Sequence, residues 1–381
     1  MKKVVIAIDS FKGCLPSVEA GKAAAEGIRS VYPECEVICL PIADGGEGML
    51  DVLIMATNGQ EVPISAHDPL MRWRNTYYGI SENGETAFIE MASISGLPLV
   101  PPERRNPMLT TTYGTGEIIR DALERGCRNF IIGIGGSATN DAGLGMLQAL
   151  GFRFSDKEGK EVGTGRGEVL IKVAHIDSTC VHPALNSCRF TVACDVQNPF
   201  YGPEGAAYVF APQKGADREM VEALDAGLQN FAEVIRHTTG KDISHHPGAG
   251  AAGGMGGSLL AFLNAELKPG IQLMLEALDF SNKIKSADLI ITGEGKLDRQ
   301  TIMGKTASGI LAAARKRHIP VIALGGCVEN MKELIDAGFL AAFSILPYPV
   351  TLEQAMQKNF ALYNIANTTE QVMRIIKNQA Q

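Results

Sequence analysis

Strand and helix patterns alternate regularly at both ends of this chain and irregularly in its middle, and that arrangement restricts the folds open to it. Residues 4–8 are a short Val/Ile run, a helical pattern runs from Ser17, just after Pro16, to about Tyr32, and residues 36–42 read as a second strand. Residues 49–57 read as a helix stopped by Asn58-Gly59, and 60–65 as a third strand. The alternation resumes near Asp288, with strands at 289–292, 321–324 and 342–346 and helices at 305–316, 330–336 and about 352–377. Strand–helix repetition implies a parallel sheet covered by helices on its faces. Neither end supplies a full sheet alone. The expected fold is therefore α/β with two domains: a discontinuous, parallel-sheet Rossmann/flavodoxin-like domain (1–65 plus 286–381), with a second mixed α/β domain (66–285) inserted and the active site in the cleft.

Glycine makes up 42 of 381 residues, well above the ~7% of an average chain, and clusters after apolar runs. The net charge of −7, without a basic run, gives no support to a nucleic-acid or anionic-membrane partner. The N-terminal apolar run breaks at Asp9, too early for a signal peptide, and no apolar stretch reaches spanning length, so a cytoplasmic protein is expected. Eight cysteines with no C-x-x-C pair read as reduced thiols, and His245-His246 as a solvated pair in a polar loop.

All strand C-termini of a parallel sheet lie on one edge, where ligands bind. Four Gly-bearing loops of the outer segments follow strands: residues 9–13, 43–48, 293–298 and 325–326. They bring Asp9, Lys12, Asp44, Glu47, Glu294, Lys296 and Asp298 to that edge, carboxylates beside lysines as a divalent metal and phosphate oxygens require. Any one loop alone reads more simply as a solvated turn; it is the four together that favour a ligand site. In the middle segment, 129–132 runs into Gly133-Ile-Gly135-Gly136-Ser137-Ala138, a loop opening a helix. The acid that a dinucleotide fingerprint needs would be Asp156, inside a charged turn, so phosphate or hydroxy-acid binding is the better reading. Gly248 to Gly253 also spells G-x-G-x-x-G, but no strand precedes it.

Asp195 closes an apolar run and is a general-base or metal candidate, and Gln213-Lys214-Gly215 adds an amide and a cation. Gly304-Lys305-Thr306 spells the end of a Walker A loop, but Arg299 stands where its first glycine belongs. The candidate loop instead starts at Gly293, directly after the strand, with Lys305 in support. No G-x-S-x-G elbow or Cys/His pair marks a nucleophile. Metal and phosphate ligands without a nucleophile fit phosphoryl transfer to a substrate's own hydroxyl.

These segments, with Ala193-Cys-Asp-Val-Gln-Asn-Pro199 and Gln213-Lys-Gly-Ala216, occur together and in order, and as a set the chain resembles the bacterial class I glycerate kinases. The resemblance implies two unequal α/β domains with the active site between them, and ATP and D-glycerate as substrates. It also implies a role in glyoxylate, glucarate or galactarate breakdown. The product is expected to be 2-phosphoglycerate, with the 3-phosphate open.

On this reading Mg2+ bridges phosphate oxygens, and Asp195 accepts the hydroxyl proton, with Lys12 and Asp44 as its catalytic partners. Asp44 and Asp298 are the metal-side carboxylates. Lys12, Lys296 and Lys305 neutralise phosphate or the glycerate carboxylate, and Gly135, Gly136 and Ser137 donate hydrogen bonds. Ser10, Gly45, Gly46 and Glu294 complete the binding set. The rivals are a non-catalytic sugar-acid or nucleotide sensor and an NAD-dependent hydroxy-acid dehydrogenase, the latter lacking its fingerprint acid. A homo-oligomer stays open, since no heptad or symmetric motif specifies one.

Overall fold

In chain order the strands of the computed structural model are β1 (Lys3–Ile8), β2 (Glu36–Cys39), β3 (Gln60–His67), β4 (Trp73–Ile80), β5 (Thr86–Glu90), β6 (Asn129–Gly133), β7 (Arg153–Ser155), β8 (His175–Asp177), β9 (Arg189–Ala193), β10 (Glu266–Lys268), β11 (Leu289–Leu297), β12 (Val321–Val328) and β13 (Ala341–Ser344). The structure describes residues 1–43, 48–302, 304 and 306–379, without the side chains of 300 and 379. Two compact units divide the chain: Met1–Asp44 with Ile271–Gln381, and Gly45–Gly270.

The first unit is built on a five-stranded parallel sheet of order β13-β12-β11-β1-β2. Counted by appearance within the sheet, that order is the flavodoxin-like 2-1-3-4-5, whose switch point falls between β1 and β11. β1 is buried from Val4 to Ile8, which is why its sequence is a continuous Val/Ile/Ala run with no polar alternation. Val4, Ile6 and Ile8 share a core with Ala20, Ala24 and Ile28 of the helix Ser17–Val31 and Ile365 and Val372 of the helix Lys358–Gln379. Each of these Val and Ile side chains contributes about 1.5–3 kcal/mol on full burial. Ser17, which the sequence marks as a helix cap, does something else. Its Oγ donates to Ile8 O (2.6 Å) and accepts from Ile42 N (2.9 Å), pinning β1 to the segment after β2.

The second unit contains a six-stranded sheet of order β10-β9-β6-β5-β4-β3, parallel from β10 to β5 and antiparallel beyond. Here the structure departs from the sequence reading, because β3 does not extend the outer sheet. Val62 and Ala66 are buried while Glu61, Pro63 and Ser65 face solvent, the alternation of a half-covered antiparallel edge strand. The helix Met49–Ala56 packs against β4 and β5 of the same sheet. The expected boundary near 65 therefore moves to Gly45, and the one near 285 to Gly270.

Two more expectations change. The C-terminal helical pattern divides into Leu352–Ala355 and Lys358–Gln379. The glycines at 293 and 325 do not open loops. β11 and β12 run on as paired strands, with Glu294 opposite Gly325 and Lys296 opposite Cys327. Gly293 is required there by close approach, since a Cβ would lie 2.4 Å from Leu324 O.

Candidate functional site

β1 ends at Ile8, opposite Gly293, and β11 continues four residues further. Side chains alternate along a strand, so Glu294 and Lys296 project from one face of this overhang, with Asp298 following in the same phase. That face and the loop after β1 line a cavity of about 610 Å³, into which Ser10, Lys12, Glu294, Lys296 and Asp298 contribute. Thr301 Oγ1 organises the carboxylate side: it donates to Glu294 Oε1 (3.0 Å) and accepts from Asp298 N (3.0 Å). Lys296 Nζ lies 3.1 Å from Glu329 Oε1 and 3.6 Å from Asp298 Oδ2, and its hydrogen bond with Glu329 is the main cause that raises its pKa. Asp9 is buried, accepting Ser10 N at Oδ1 (2.6 Å) and Thr306 Oγ1 at Oδ2 (2.7 Å). It thereby ties the helix Thr306–Arg315 to the loop after β1. Ser10's backbone N–H being engaged with Asp9, its hydroxyl is the group left to offer a ligand. Asp44, Gly45, Gly46 and Lys305 lie outside the described residues.

In the second unit, the carboxyl edge of the parallel strands sets Glu90, Gly133, Ala193 and Lys268 side by side in register. Beyond Gly133 the chain exposes Gly135 and Gly136 and buries Ser137. Lys214, only 2% exposed, donates from Nζ to Ser137 Oγ (2.8 Å) and Thr139 O (2.6 Å). Burial pulls its pKa down to about 7, partly opposed by the nearby Asp141 carboxylate. Asp141 is itself buried; its pKa is raised by desolvation, and it accepts from Thr112 N and Oγ1 (both 2.8 Å) and from Gly143 N and Gly145 N (both 3.2 Å). Thr110 Oγ1 adds a bond to Ala138 O (2.9 Å). These bonds hold the loop from within, while Thr139 Oγ1 and the Asn140 side-chain amide are buried in it without a hydrogen-bond partner among the described residues. Asp195, exposed just past β9, accepts from Gly270 N (2.8 Å) at one carboxylate oxygen.

The glycerate kinase family model matches residues 4–377 of this chain. The chain belongs to the glycerate kinase family. It is 46% identical to the glycerate kinase of Haemophilus influenzae strain Rd over 98% of both chains. It is also 46% identical to the glycerate 2-kinase of Escherichia coli K12, over 98% of this chain and 99% of that one. A crystal structure from Salmonella typhimurium LT2, provisionally described as glycerate kinase 2, superposes with a TM-score of 0.91 at 43% identity, covering 100% of this chain and 99% of that one.

The donor set on the first unit can be compared with what a divalent metal requires. Among the described residues no three His, Cys, Asp or Glu side chains gather into a metal cage. Glu294 and Asp298 beside lysines match instead a Mg2+ ion that takes one or two carboxylates and completes its shell with phosphate and water oxygens. No helix among the described residues is long and apolar enough to cross a membrane.

Sequence reasoning passed over several residues that frame the strand edge of the second unit. Thr110, Thr111 and Thr112 are buried polar residues flanking the Gly135 loop, and their only sequence signal is a threonine run before Tyr113-Gly114-Thr115-Gly116. Lys214 was visible as a cation after an apolar run, but its role as the loop's internal strut was not. Glu90 closes the apolar strand β5 as Asp195 follows β9, the same signal in a place not searched.

Proposed function

We propose that this protein transfers the γ-phosphoryl group of ATP to the 2-hydroxyl of D-glycerate, giving 2-phospho-D-glycerate and ADP. The observation that carries the reading is the row Glu294, Lys296, Asp298 beside Lys12 at the β1/β11 strand ends, in a chain matched end to end by glycerate kinases. The E. coli relative, named a glycerate 2-kinase, supports the 2-hydroxyl.

Lys12 and Lys296 neutralise the triphosphate, while Asp298 and Glu294, with Asp44, are the carboxylates for Mg2+. Mg2+ bound there would supply charge neutralisation on the phosphate oxygens. Gly135, Gly136 and Ser137 receive the glycerate carboxylate, Ser137's hydroxyl accepting from Lys214 and keeping its own proton to donate. The substrate hydroxyl oxygen forms the new P–O bond, its proton passes to the Asp195 carboxylate, and the β–γ bridging P–O bond breaks to release ADP. Gly270 N holds that carboxylate from the other oxygen. The protein would act in the cytoplasm, in glyoxylate, glucarate or galactarate breakdown.

Incubation with D-glycerate and Mg-ATP followed by phosphorus NMR should show ADP and a phosphate ester coupled to one proton, the pattern of the 2-phosphate. Coupling to two protons would assign the 3-phosphate, and no consumption of ATP would end the kinase reading. Asp195→Asn should lower kcat by about 100-fold or more with the fold retained; near-normal turnover removes Asp195 from the role.

A further inference from the structure

We propose that the apolar wall of the cavity in the first unit is the seat of ATP's purine base, with Leu346, Val350, Leu352 and Met356 as its contact surface. This rests on the kinase reading above, and it assigns a binding surface that the phosphate-directed residues leave unexplained.

Three observations lead to it. The first is size. A cavity of about 610 Å³ is far larger than a three-carbon acid fills and falls in the ordinary range for nucleotide-sized ligands. The second is the division of its lining. The loop after β1 and the end of β11 contribute Ser10, Lys12, Glu294, Lys296 and Asp298, whereas the segment after β13 contributes Ile345, Leu346, Val350, Leu352 and Met356. A nucleotide has the same division, a polyanion at one end and a flat, weakly solvated ring at the other. Neither D-glycerate nor a free phosphate has an apolar end to place there.

The third observation is exposure. Leu352 is 78% exposed and Met356 39%, although both belong to a segment bounded by well-buried residues such as Ile345 and Ala361. Two large apolar side chains held in water at the rim of one cavity lose hydration cost only when something apolar covers them. The segment is also held in place. Thr351 Oγ1 accepts from Gln354 N (3.3 Å), capping the turn Leu352–Ala355, which carries Leu352 and is followed directly by Met356. Met356 is brought to the charged side by Gly13, whose φ of +74° and missing side chain leave room for it: a Cβ on Gly13 would lie 3.1 Å from Met356 Cε. Gly13 follows Lys12 directly, so the apolar and cationic walls meet at one corner. A methionine suits that corner, because its flexible, polarizable thioether adapts to an aromatic face.

The test uses the full chain and ADP as probe. Saturation-transfer NMR with irradiation of protein methyl groups should reach the adenine H2 and H8 protons of ADP more strongly than the ribose protons. The variant Leu352→Glu/Met356→Glu should weaken ADP binding and raise the KM for ATP about tenfold or more. Its KM for D-glycerate should move less than about threefold. Inhibition by inorganic tripolyphosphate, which carries no base, should be unchanged by the variant. Both positions are exposed, so the fold tolerates the change. Met356→Leu should keep the wild-type KM for ATP. Equal ADP affinity in the charged variant, or saturation transfer confined to the ribose, overturns the base seat while leaving turnover, and hence the kinase reading, intact. Absence of ATP turnover in the wild-type protein overturns that reading and the proposal with it.

Discussion

Around the Ser137 loop of the six-stranded sheet a set of buried polar groups is mutually bonded: Lys214 holds Ser137 and Thr139, Asp141 holds Thr112, Gly143 and Gly145, and Thr110 holds Ala138. At the edge of the five-stranded sheet Asp9 is buried, but Lys296 and Glu329 lie in water, each about half exposed and joined by a 3.1 Å ion pair. Charges buried in a low-dielectric interior are costly to bring in and costlier to leave unpaired, so the first arrangement fixes one geometry. Solvated ion pairs exchange partners cheaply. The contrast matches the two ligands proposed: a small rigid acid read by a prebuilt frame, and a flexible triphosphate met by charges that can let go of one another.

Three tests probe the contrast. Asp141→Ala should have the largest effect, removing the acceptor of four hydrogen bonds and leaving Lys214 without its counter-charge. A loss of about 3–5 kcal/mol in urea unfolding is expected; a loss near zero would mean the frame is not held from within.

Lys214 gives a test by pH. Its folded pKa of about 7 lies below the ordinary 10.5, so between those values the unfolded chain binds a proton that the native state lacks. Stability should therefore rise as pH increases through that window, by a few kcal/mol, and the rise should vanish in Lys214→Met. Equal slopes in both proteins would refute the account of a desolvated lysine.

A matched glycine pair has the smallest expected effect. Gly253 has φ +66°, and a Cβ there would meet Thr139 O at 2.1 Å, whereas a Cβ on Gly295 would find nothing nearer than 3.7 Å. Gly253→Ala should cost about 2 kcal/mol and lower kcat, while Gly295→Ala should change stability by less than about 1 kcal/mol. Thermal denaturation of the two side by side decides it, and equal costs would erase the distinction between a stitched edge and an open one.

The outer sheet was legible because its strands are nearly continuous apolar runs. Residues 4–8 and 289–292 announce buried parallel strands, and only the central strands of such a sheet read that way. β3 was misassigned because its alternation was counted as a strand without asking which faces it covers. Gly293 and Gly325 were read as punctuation, yet close packing of neighbouring backbones asks for glycine as often as turning does. The phase of Glu294, Lys296 and Asp298 followed from sequence once the strand was known to continue. The buried frame around Ser137 did not, since it joins Thr112, Asp141 and Lys214 across 102 positions and each looks unremarkable alone.

The pairing of Val4 with Leu289 has a consequence for how the chain is made. A ribosome adding about 5–20 residues per second delivers β1 and β2 long before β11, β12 and β13 exist. For that interval the N-terminal strands have no neighbour on the β11 side, while every strand of the six-stranded sheet has already emerged by Lys268. The apolar strand β1 thus has β2 beside it early but waits about 285 positions of chain for its second neighbour. Contacts of such long sequence separation form slowly, which makes synthesis and refolding the periods when β1 is open to aggregation or to a chaperone.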